Sequence, residues 1–145
     1  MKYSGIGRRK SAVAQVFFSE IQPMPPEGHG HVDVEAIFSE NIFINNKKID
    51  DYFQKDGHVL HHLQQVFKVF GFYQHRPLKM QITVCGGGQT GQKEAIYLAT
   101  ARALSKKGGV PLQNKPNLLT QDTRKKERKK YGLKKARKAP QYSKR

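Results

Sequence analysis

The sequence predicts one domain of mixed class, α/β or α+β, followed by a strongly basic segment. Its 145 residues leave room for a single domain of ordinary size. Some segments alternate apolar and polar residues, as half-buried strands do, and others repeat apolar residues every three or four positions, as amphipathic helices do. The hydrophobic share of 37% is below average for a globular protein, but it suffices for one modest core.

Three segments are predicted to form strands. In residues 11–18 every second side chain is apolar: Ala12, Ala14, Val16 and Phe18. Residues 79–85 repeat this pattern with Met80, Ile82 and Val84. Residues 42–44 form a shorter β-prone run, and the turn residues Asn45-Asn46 close it.

Helical spacing is clearest in two other segments. From His58 the apolar residues recur on one helical face until Gly71 supplies a stop: Val59, Leu60, Leu63, Val66, Phe67 and Phe70. Residues 89–107 are rich in alanine and end at Gly108-Gly109. Residues 50–53 resemble an acidic helix start, and residues 117–130 are expected to add a last helix.

Two regions carry no clear periodicity. Residues 2–10 are basic and punctuated by Gly5 and Gly7. Residues 20–40 contain a loop rich in proline and glycine, and their pattern leaves open whether residues 32–38 form a strand.

Positive charge is concentrated at the carboxyl end. The chain has 27 basic and 11 acidic residues, a net charge of +16. Residues 1–119 hold 15 basic and 9 acidic residues, a net of +6, whereas residues 120–145 hold 12 and 2, a net of +10. The second stretch has too little apolar surface to fold alone, so we expect an arm that becomes ordered on a polyanion. Nucleic acid, an anionic membrane and an acidic protein are the candidate partners.

Some classes of protein are excluded by pattern. Uninterrupted apolar runs span only a few residues, whereas a helix that crosses a bilayer needs about 20. Residues 1–18 lack the apolar stretch of a secretory signal. Cys85 is the only cysteine, which excludes an internal disulfide and indicates a reducing compartment.

A glycine motif follows the predicted strand 79–85. Residues 86–91 read G-x-G-x-x-G at the start of a predicted helix, the context of a dinucleotide site. Such a site also needs an acid about 20 residues later, and residues 105–120 contain none. Two alternatives remain open: the glycines let the backbone approach a phosphate, with Lys93 and Arg102 nearby, or they form a purely structural turn.

No arrangement of residues indicates catalysis or metal binding. His58, His61 and His62 have helical spacing, but cysteine or carboxylate partners at zinc spacing are missing, so they are interpreted as exposed polar positions. Asp50-Asp51 is explained by a helix start. The sequence therefore predicts a protein that is not an enzyme and that needs no cofactor.

Three blocks of sequence resemble one known family. They are residues 5–14, GIGRRKSAVA; the glycine-helix block of residues 86–92 with Ala95 and residues 99–104; and the basic ending of residues 119–145. Together they resemble the family of the ninth protein of the small ribosomal subunit, in its bacterial and organellar branch. Two departures stand out: residues 20–40 resemble an insertion, and Asn45-Asn46-Lys47 replaces a common glycine turn.

The resemblance implies a fold and a place of action. The fold would be a single two-layer domain of the ribosomal S5 domain 2-like type, residues 1–119, with a left-handed β-α-β crossover, plus an extended basic C-terminal arm, residues 120–145. The protein would sit in the head of the small ribosomal subunit, in the bacterial cytoplasm or in a plastid or mitochondrion. Its partners would be small-subunit ribosomal RNA, the peptidyl-site tRNA and neighbouring head proteins, with no membrane and no small-molecule substrate.

The resemblance also implies the residues that make these contacts. The arm's tip, Ser143, Lys144 and Arg145, would contact tRNA. The residues expected to bind ribosomal RNA are Arg8, Arg9, Lys10, Gly86, Gly87, Gly88, Arg124, Lys125, Lys126, Arg128, Lys129, Lys130, Tyr131, Lys134, Lys135, Arg137 and Lys138. The competing functions are a nucleotide-dependent enzyme that uses the Gly86 turn, and a DNA-compacting protein whose arm acts like a histone tail.

Overall fold

A five-stranded sheet with helices packed on one face forms the body of the protein. The structure is a computed structural model that describes residues 2–20, 41–71, 78–108 and 118–144. The strands are β1 (Lys2–Arg9), β2 (Ala12–Glu20), β3 (Ile42–Ile44), β4 (Lys47–Lys48) and β5 (Leu78–Cys85). The helices are α1 (Ile49–Tyr52), α2 (Gly57–Val69) and α3 (Gln89–Lys106). The expected insertion beyond residue 20, the undecided segment 32–38 and Arg145 lie outside the described residues.

The strand order mixes antiparallel and parallel pairing. The order across the sheet is β1-β2-β5-β3-β4. Strand β2 pairs antiparallel with β1 and with β5, whereas β3 pairs parallel with β5 and antiparallel with β4. After β3 the chain passes through β4, α1 and α2 before it reaches β5, so the parallel strands β3 and β5 are joined by a β-α-β crossover that includes β4. This arrangement confirms the predicted mixed α+β class.

The alternating segments place their apolar side chains in the core as predicted. Ala12, Ala14, Val16 and Phe18 are at most 1% exposed. Met80, Ile82 and Val84 of the neighbouring strand are buried beside them. Helix α3 lies across β1 and β2, and α2 packs next to α3, so the core is the layer between the sheet and these helices.

The first strand was not predicted, and two glycines explain its position. A Cβ atom added at Gly5 would lie 2.1 Å from the backbone oxygen of Ala99, and one at Gly7 would lie 2.1 Å from that of Ala95. Only glycine therefore lets β1 run directly against α3. Because glycine is unfavourable in strands generally, composition alone does not predict a strand here.

The short turn after β3 forms where it was predicted. Asn45 and Asn46 have φ angles of 47° and 66°, in the left-handed region that asparagine tolerates better than most residues. The side chain of Asn45 donates to the carbonyl of Val84 at 2.9 Å and accepts from its N–H at 3.0 Å. The turn is thereby attached to β5 as well as joining β3 to β4.

The predictions for α2 and α3 are confirmed within a residue or two at each end. Helix α2 begins after Asp56, whose carboxylate accepts from the N–H of His58 at 3.0 Å. The same carboxylate pairs with Lys93 of α3, which lowers the pKa of Asp56. Gly71 and Gly108 follow the two helices with φ angles of 71° and 93°.

The helix expected over residues 117–130 is wrong. Residues 118 and 119 form a short turn, and residues 120–130 contain no helix or strand. Apolar side chains are confined to the beginning of that segment, so a helix there would have no face to bury. Its closely spaced lysine and arginine side chains would also repel one another at helical spacing.

Candidate nucleic-acid interface

The basic segment, residues 120–145, is an exposed chain without regular structure in its described part. No helix or strand occurs between residues 120 and 144. Tyr131 and Tyr142 are fully exposed, as are most of the cations around them. The exposed residues include these predicted contacts: Arg124, Lys125, Lys126, Arg128, Lys129, Lys130, Tyr131, Lys134, Lys135, Arg137, Lys138, Ser143 and Lys144. Arg145, the third residue of the expected tip, is outside the described chain.

A local loop occurs in the middle of this segment. The Glu127 carboxylate accepts from Arg137 Nε at 3.1 Å and from Lys130 Nζ at 3.2 Å. Hydrogen bonds from Arg137 and then Lys130 lower the pKa of Glu127 to about 2. The N–H of Lys134 donates to the carbonyl of Lys138 at 2.7 Å, and Gly132 supplies a left-handed turn at φ 74°. One acid therefore organises two of the cations, and the loop remains strongly positive.

The start of the basic segment is attached to the body through Arg9. The Arg9 side chain, at the end of β1, is only 17% exposed. Its Nε pairs with Glu94 of α3, and its terminal nitrogens reach the Asp122 carboxylate at 3.3 Å and the carbonyl of Arg124 at 3.4 Å. This guanidinium thus joins a strand, a helix and the root of the basic segment, which we define as residues 118–124.

Two further arginines reinforce the root. Arg102 of α3 donates to the carbonyl of Ile6 at 2.8 Å and to that of Leu119 at 3.5 Å. Arg124 also donates to the Asp122 carboxylate, from Nε to Oδ1 at 3.1 Å and from a terminal nitrogen to Oδ2 at 2.7 Å. These hydrogen bonds, with Arg9 contributing charge, hold the pKa of Asp122 well below its usual range. Asp122 therefore keeps its negative charge further into acid than an ordinary aspartate does.

The glycine turn between β5 and α3 packs against the protein's own backbone. Gly86 and Gly87 have φ angles of 72° and 69°. A Cβ atom at Gly86 would lie 2.6 Å from the carbonyl oxygen of Ser11, and one at Gly87 would lie 2.9 Å from the N of Ala12. Gly88 faces open space, with no atom within 4 Å of its added Cβ. Of the three, only Gly88 has room beside it for a ligand.

The cations that sequence reasoning placed near this turn are engaged elsewhere. Lys93 pairs with Asp56, and Arg102 holds two backbone carbonyls. The structural alternative for the glycine turn is therefore favoured over a phosphate site built from these two side chains.

A cleft lies between the β1–β2 turn and the root. It has a volume of about 470 Å³. Its lining joins residues from the two ends of the sequence: Arg8, Arg9, Lys10, Ser11, Ala12, Val13, Gln121, Asp122, Thr123 and Lys125. The structure thus brings the basic residues predicted near the amino end together with the first cations of the basic segment.

The histidines of α2 lie on its surface, as interpreted from their spacing. His58, His61 and His62 are exposed. His61 shares a hydrogen bond of 2.9 Å with Gln65, and the His62 ring lies 5.4 Å from that of Tyr97. Across the described residues, no cluster of three or more potential ligands is placed to hold a metal ion.

Two further findings concern the single cysteine and the length of the helices. Cys85 is exposed at the end of β5. In the ranges that the structure describes, none of the helices combines the length and apolar character needed to span a bilayer.

Two residues of the interface, Glu94 and Asp122, were not predicted from sequence, and Arg102 was predicted in a different role, near a phosphate. All three owe their roles to contacts between distant segments, and spacing along the chain does not predict such contacts. One signal was present for Asp122: it is one of only two acids among residues 120–145. An isolated acid inside a run of cations is a candidate for an internal ion pair.

The family model of ribosomal protein S9/S16 matches residues 7–145, which include the β1–β2 turn, the glycine turn and the whole basic segment. The chain belongs to this family. The resemblance seen in three blocks of sequence is therefore confirmed. The family consists of structural ribosomal proteins, so the prediction that the chain is not an enzyme is confirmed too.

Curated relatives match the chain over nearly its full length. Small ribosomal subunit protein uS9c of Mesostigma viride is 41% identical over 148 residues, covering 100% of this chain and 93% of that protein. Small ribosomal subunit protein uS9 of Tropheryma whipplei (strain Twist) is 40% identical, covering 98% of this chain and 81% of the relative. The uS9 protein of Thermosynechococcus vestitus is 39% identical, with 99% and 92% covered. Chloroplast and bacterial relatives agree with the predicted branch of the family.

Proposed function

We propose that this protein is a structural component of the head of the small ribosomal subunit. There it binds small-subunit ribosomal RNA and extends its C-terminal tip to the peptidyl-site tRNA. The observation that carries the proposal is the exposed basic segment, attached by its root to a folded body, in a chain of the S9/S16 family. The names of its relatives, which are small ribosomal subunit proteins, support the same assignment.

The chemistry of the basic segment suits RNA. Exposed lysine and arginine side chains neutralise phosphates and release their counterions, which makes binding strong at low salt and weak at high salt. Arginine can also bind a phosphate with two hydrogen bonds, and tyrosine can stack on a base. The exposed rings of Tyr131 and Tyr142 have no packing role in the free chain, so they are available for stacking.

The tip has the length to reach a second RNA. Fully extended, residues 128–145 span at most ~60 Å, at ~3.3–3.6 Å per residue. In the proposed contact, Lys144 and Arg145 bind phosphates of the peptidyl-site tRNA and Ser143 adds a hydroxyl. Residues 1–119 form the RNA-binding body and residues 120–145 form the arm.

The fold proposal follows the same family. We infer the S5 domain 2-like arrangement with a left-handed crossover. The parallel pairing of β3 with β5 through two helices supports the crossover connection, and its left hand is what membership of the family implies. The ribosome would be that of a bacterium or of an organelle, and neighbouring head proteins would complete the contacts of the body.

Removing the tip tests the tRNA contact. Small subunits reconstituted with a chain that lacks residues 143–145 should bind peptidyl-site tRNA more weakly than subunits with the full chain. A matched control replaces two exposed cations of the body, K47Q and K55Q, so that the same charge is lost but the tip is kept. Equal tRNA affinity for the full chain and the truncated chain would reject the tip assignment.

Sedimentation tests membership of the ribosome. A tagged full-length chain should migrate with small subunits at moderate salt. Recovery with DNA alone would favour the DNA-compacting alternative and overturn the proposal.

A further inference from the structure

We propose that the cleft between the β1–β2 turn and the root binds one phosphodiester unit of an RNA strand, and that Arg9 builds this cleft instead of binding the phosphate. The inference rests on the proposed function, because it names the part of ribosomal RNA that the body recognises. It also divides the basic residues at the amino end into two roles. Arg8 and Lys10 are ligands, and Arg9 is a positioning residue.

The size of the cleft fits a nucleotide unit. Its volume of about 470 Å³ lies inside the ~300–1,000 Å³ range of sites for small ligands. Val13, which is partly exposed, adds a small apolar surface to the lining, against which a ribose can pack. A phosphate alone would leave most of this space empty, so a unit of a chain is the better match.

The charged side chains that line the cleft favour an anionic ligand. Arg8, Lys10 and Lys125 line it and are exposed. Asp122 is the only acid among the lining residues, and Arg9 and Arg124 both pair with it. Its negative charge is thereby compensated inside the protein, and the three exposed cations are left to face a ligand.

Neutral donors complete the lining. Ser11 and Thr123 carry hydroxyls, and Gln121 carries an amide N–H₂. Groups of this kind commonly donate to phosphate oxygens without reading the sequence of the nucleic acid. The cleft therefore recognises the sugar-phosphate backbone.

Arg9 differs from its two neighbours in its contacts. Each of its three guanidinium nitrogens already has an oxygen partner: the Glu94 carboxylate, the Asp122 carboxylate and the carbonyl of Arg124. The last of these contacts spans 115 positions of sequence. Arg9 thus fixes the distance between the two walls of the cleft. Without it, Glu94 and Asp122 would both lose a cation next to the phosphate site.

Double-mutant cycles on the free full-length chain test whether the walls act together. The probe is an unstructured oligouridylate, with affinity measured by fluorescence anisotropy over a range of salt. R8Q and K125Q should each reduce the slope of log affinity against log salt by about 0.7, the value for one contact with a single strand. Their effects should be non-additive, because both residues bind the same phosphodiester. K68Q, which removes an exposed lysine on α2, is the matched control and should show no coupling to R8Q.

Arg9 is tested in the same cycles. In a chain that keeps the wild-type melting transition, R9Q should abolish the coupling between R8Q and K125Q. R9K keeps the positive charge but loses the planar guanidinium, whose N–H groups bind several acceptors at once. It should therefore also weaken the coupling between R8Q and K125Q. If R9Q does not fold, R9K carries the test. Wild-type coupling in R9K would overturn the positioning role.

Two other results would overturn the cleft itself. One is that the effects of R8Q and K125Q on the free energy of oligouridylate binding are additive at every salt concentration. The other is inorganic phosphate competing as strongly as the oligouridylate, which would indicate a site for free anions. No ribosome is used, so these outcomes are separate from the sedimentation test. Coupling that persists in a chain that does not join small subunits would reject only the proposed function.

Discussion

Two acids organise the basic segment at the scale of single residues. Asp122 holds the root against Arg9 and Arg124, and Glu127 closes a loop with Arg137 and Lys130. Glu127 is exposed and Asp122 is partly exposed, and ion pairs near the surface contribute little to global stability. Their effect is local: they limit the directions in which the segment can leave the body.

Replacing Asp122 should loosen the root without unfolding the body. D122N removes the negative charge that Arg9 and Arg124 share, and it weakens the acceptor for the N–H of Arg124, now at 2.9 Å. We expect faster amide hydrogen exchange at residues 122–124 and little change in the melting temperature. D51N, which alters an exposed acid of α1, is the control. Unchanged exchange in D122N would show that Asp122 does not hold the root.

The Glu127 loop should respond to acid within a defined range. Its pKa is lowered from 4.5 to about 2, so the folded loop binds fewer protons than the open chain between these values. The ion pairs therefore stabilise the loop fully above pH 4.5, and this contribution is lost as the pH falls towards 2. Titration of the Glu127 carboxyl carbon by NMR measures it. R137Q should move the midpoint upwards, and a wild-type midpoint near the ordinary value would contradict the ion pair.

At the scale of elements, the packing of β1 on α3 depends on glycine. G7V should destabilise the body by about 3 kcal/mol, the upper part of the usual range for overpacking, because its Cβ would overlap the backbone of Ala95. Urea denaturation measures this. G57A is the matched control, since nothing lies within 4 Å of a Cβ at Gly57. Equal stability of G7V and wild type would mean that β1 does not lie against α3.

The elements differ in how far sequence alone predicts them. Strands β2 and β5 and helices α2 and α3 follow their hydrophobic periodicity, because each buries one regular face in the same core. Strand β1 does not, because glycines replace the apolar side chains on its inner face. For residues 117–130 the sequence predicts a helix that the structure does not contain. Lysine and arginine have high helix propensity, but propensity does not replace an apolar face that packs against the core.

The candidate site likewise has features that the sequence predicts and features that it does not. Composition predicts the basic segment and its preference for a polyanion, because charge is a property of the sequence itself. The cleft and the Arg9 contacts depend on a meeting of residues 8–13 with residues 121–125, which only the folded chain shows. Sequence reasoning therefore grouped Arg8, Arg9 and Lys10 as equivalent ligands, whereas their surroundings differ.

At the scale of the whole molecule, the uneven charge predicts the form of the salt dependence. A protein that contacts 6–10 phosphates of a duplex loses about 10³–10⁵ in affinity between 50 and 200 mM salt. The exposed cations of residues 124–138 suffice for that number of contacts, so we expect a loss in this range for a helical fragment of ribosomal RNA. Filter binding at several salt concentrations measures the slope.

Where the charge lies matters as much as its total. Replacing Lys134, Lys135 and Lys138 with glutamine should reduce the salt slope by about 2.7, which is three contacts at about 0.9 each. Replacing Lys47, Lys48 and Lys55, which are exposed on the body, removes the same charge and should change the slope much less. If binding depended only on net charge, both triple variants would have equal slopes. Unequal slopes would instead show that the protein presents its positive charge to RNA from one side, along the basic segment that Arg9 and Arg102 attach to the body.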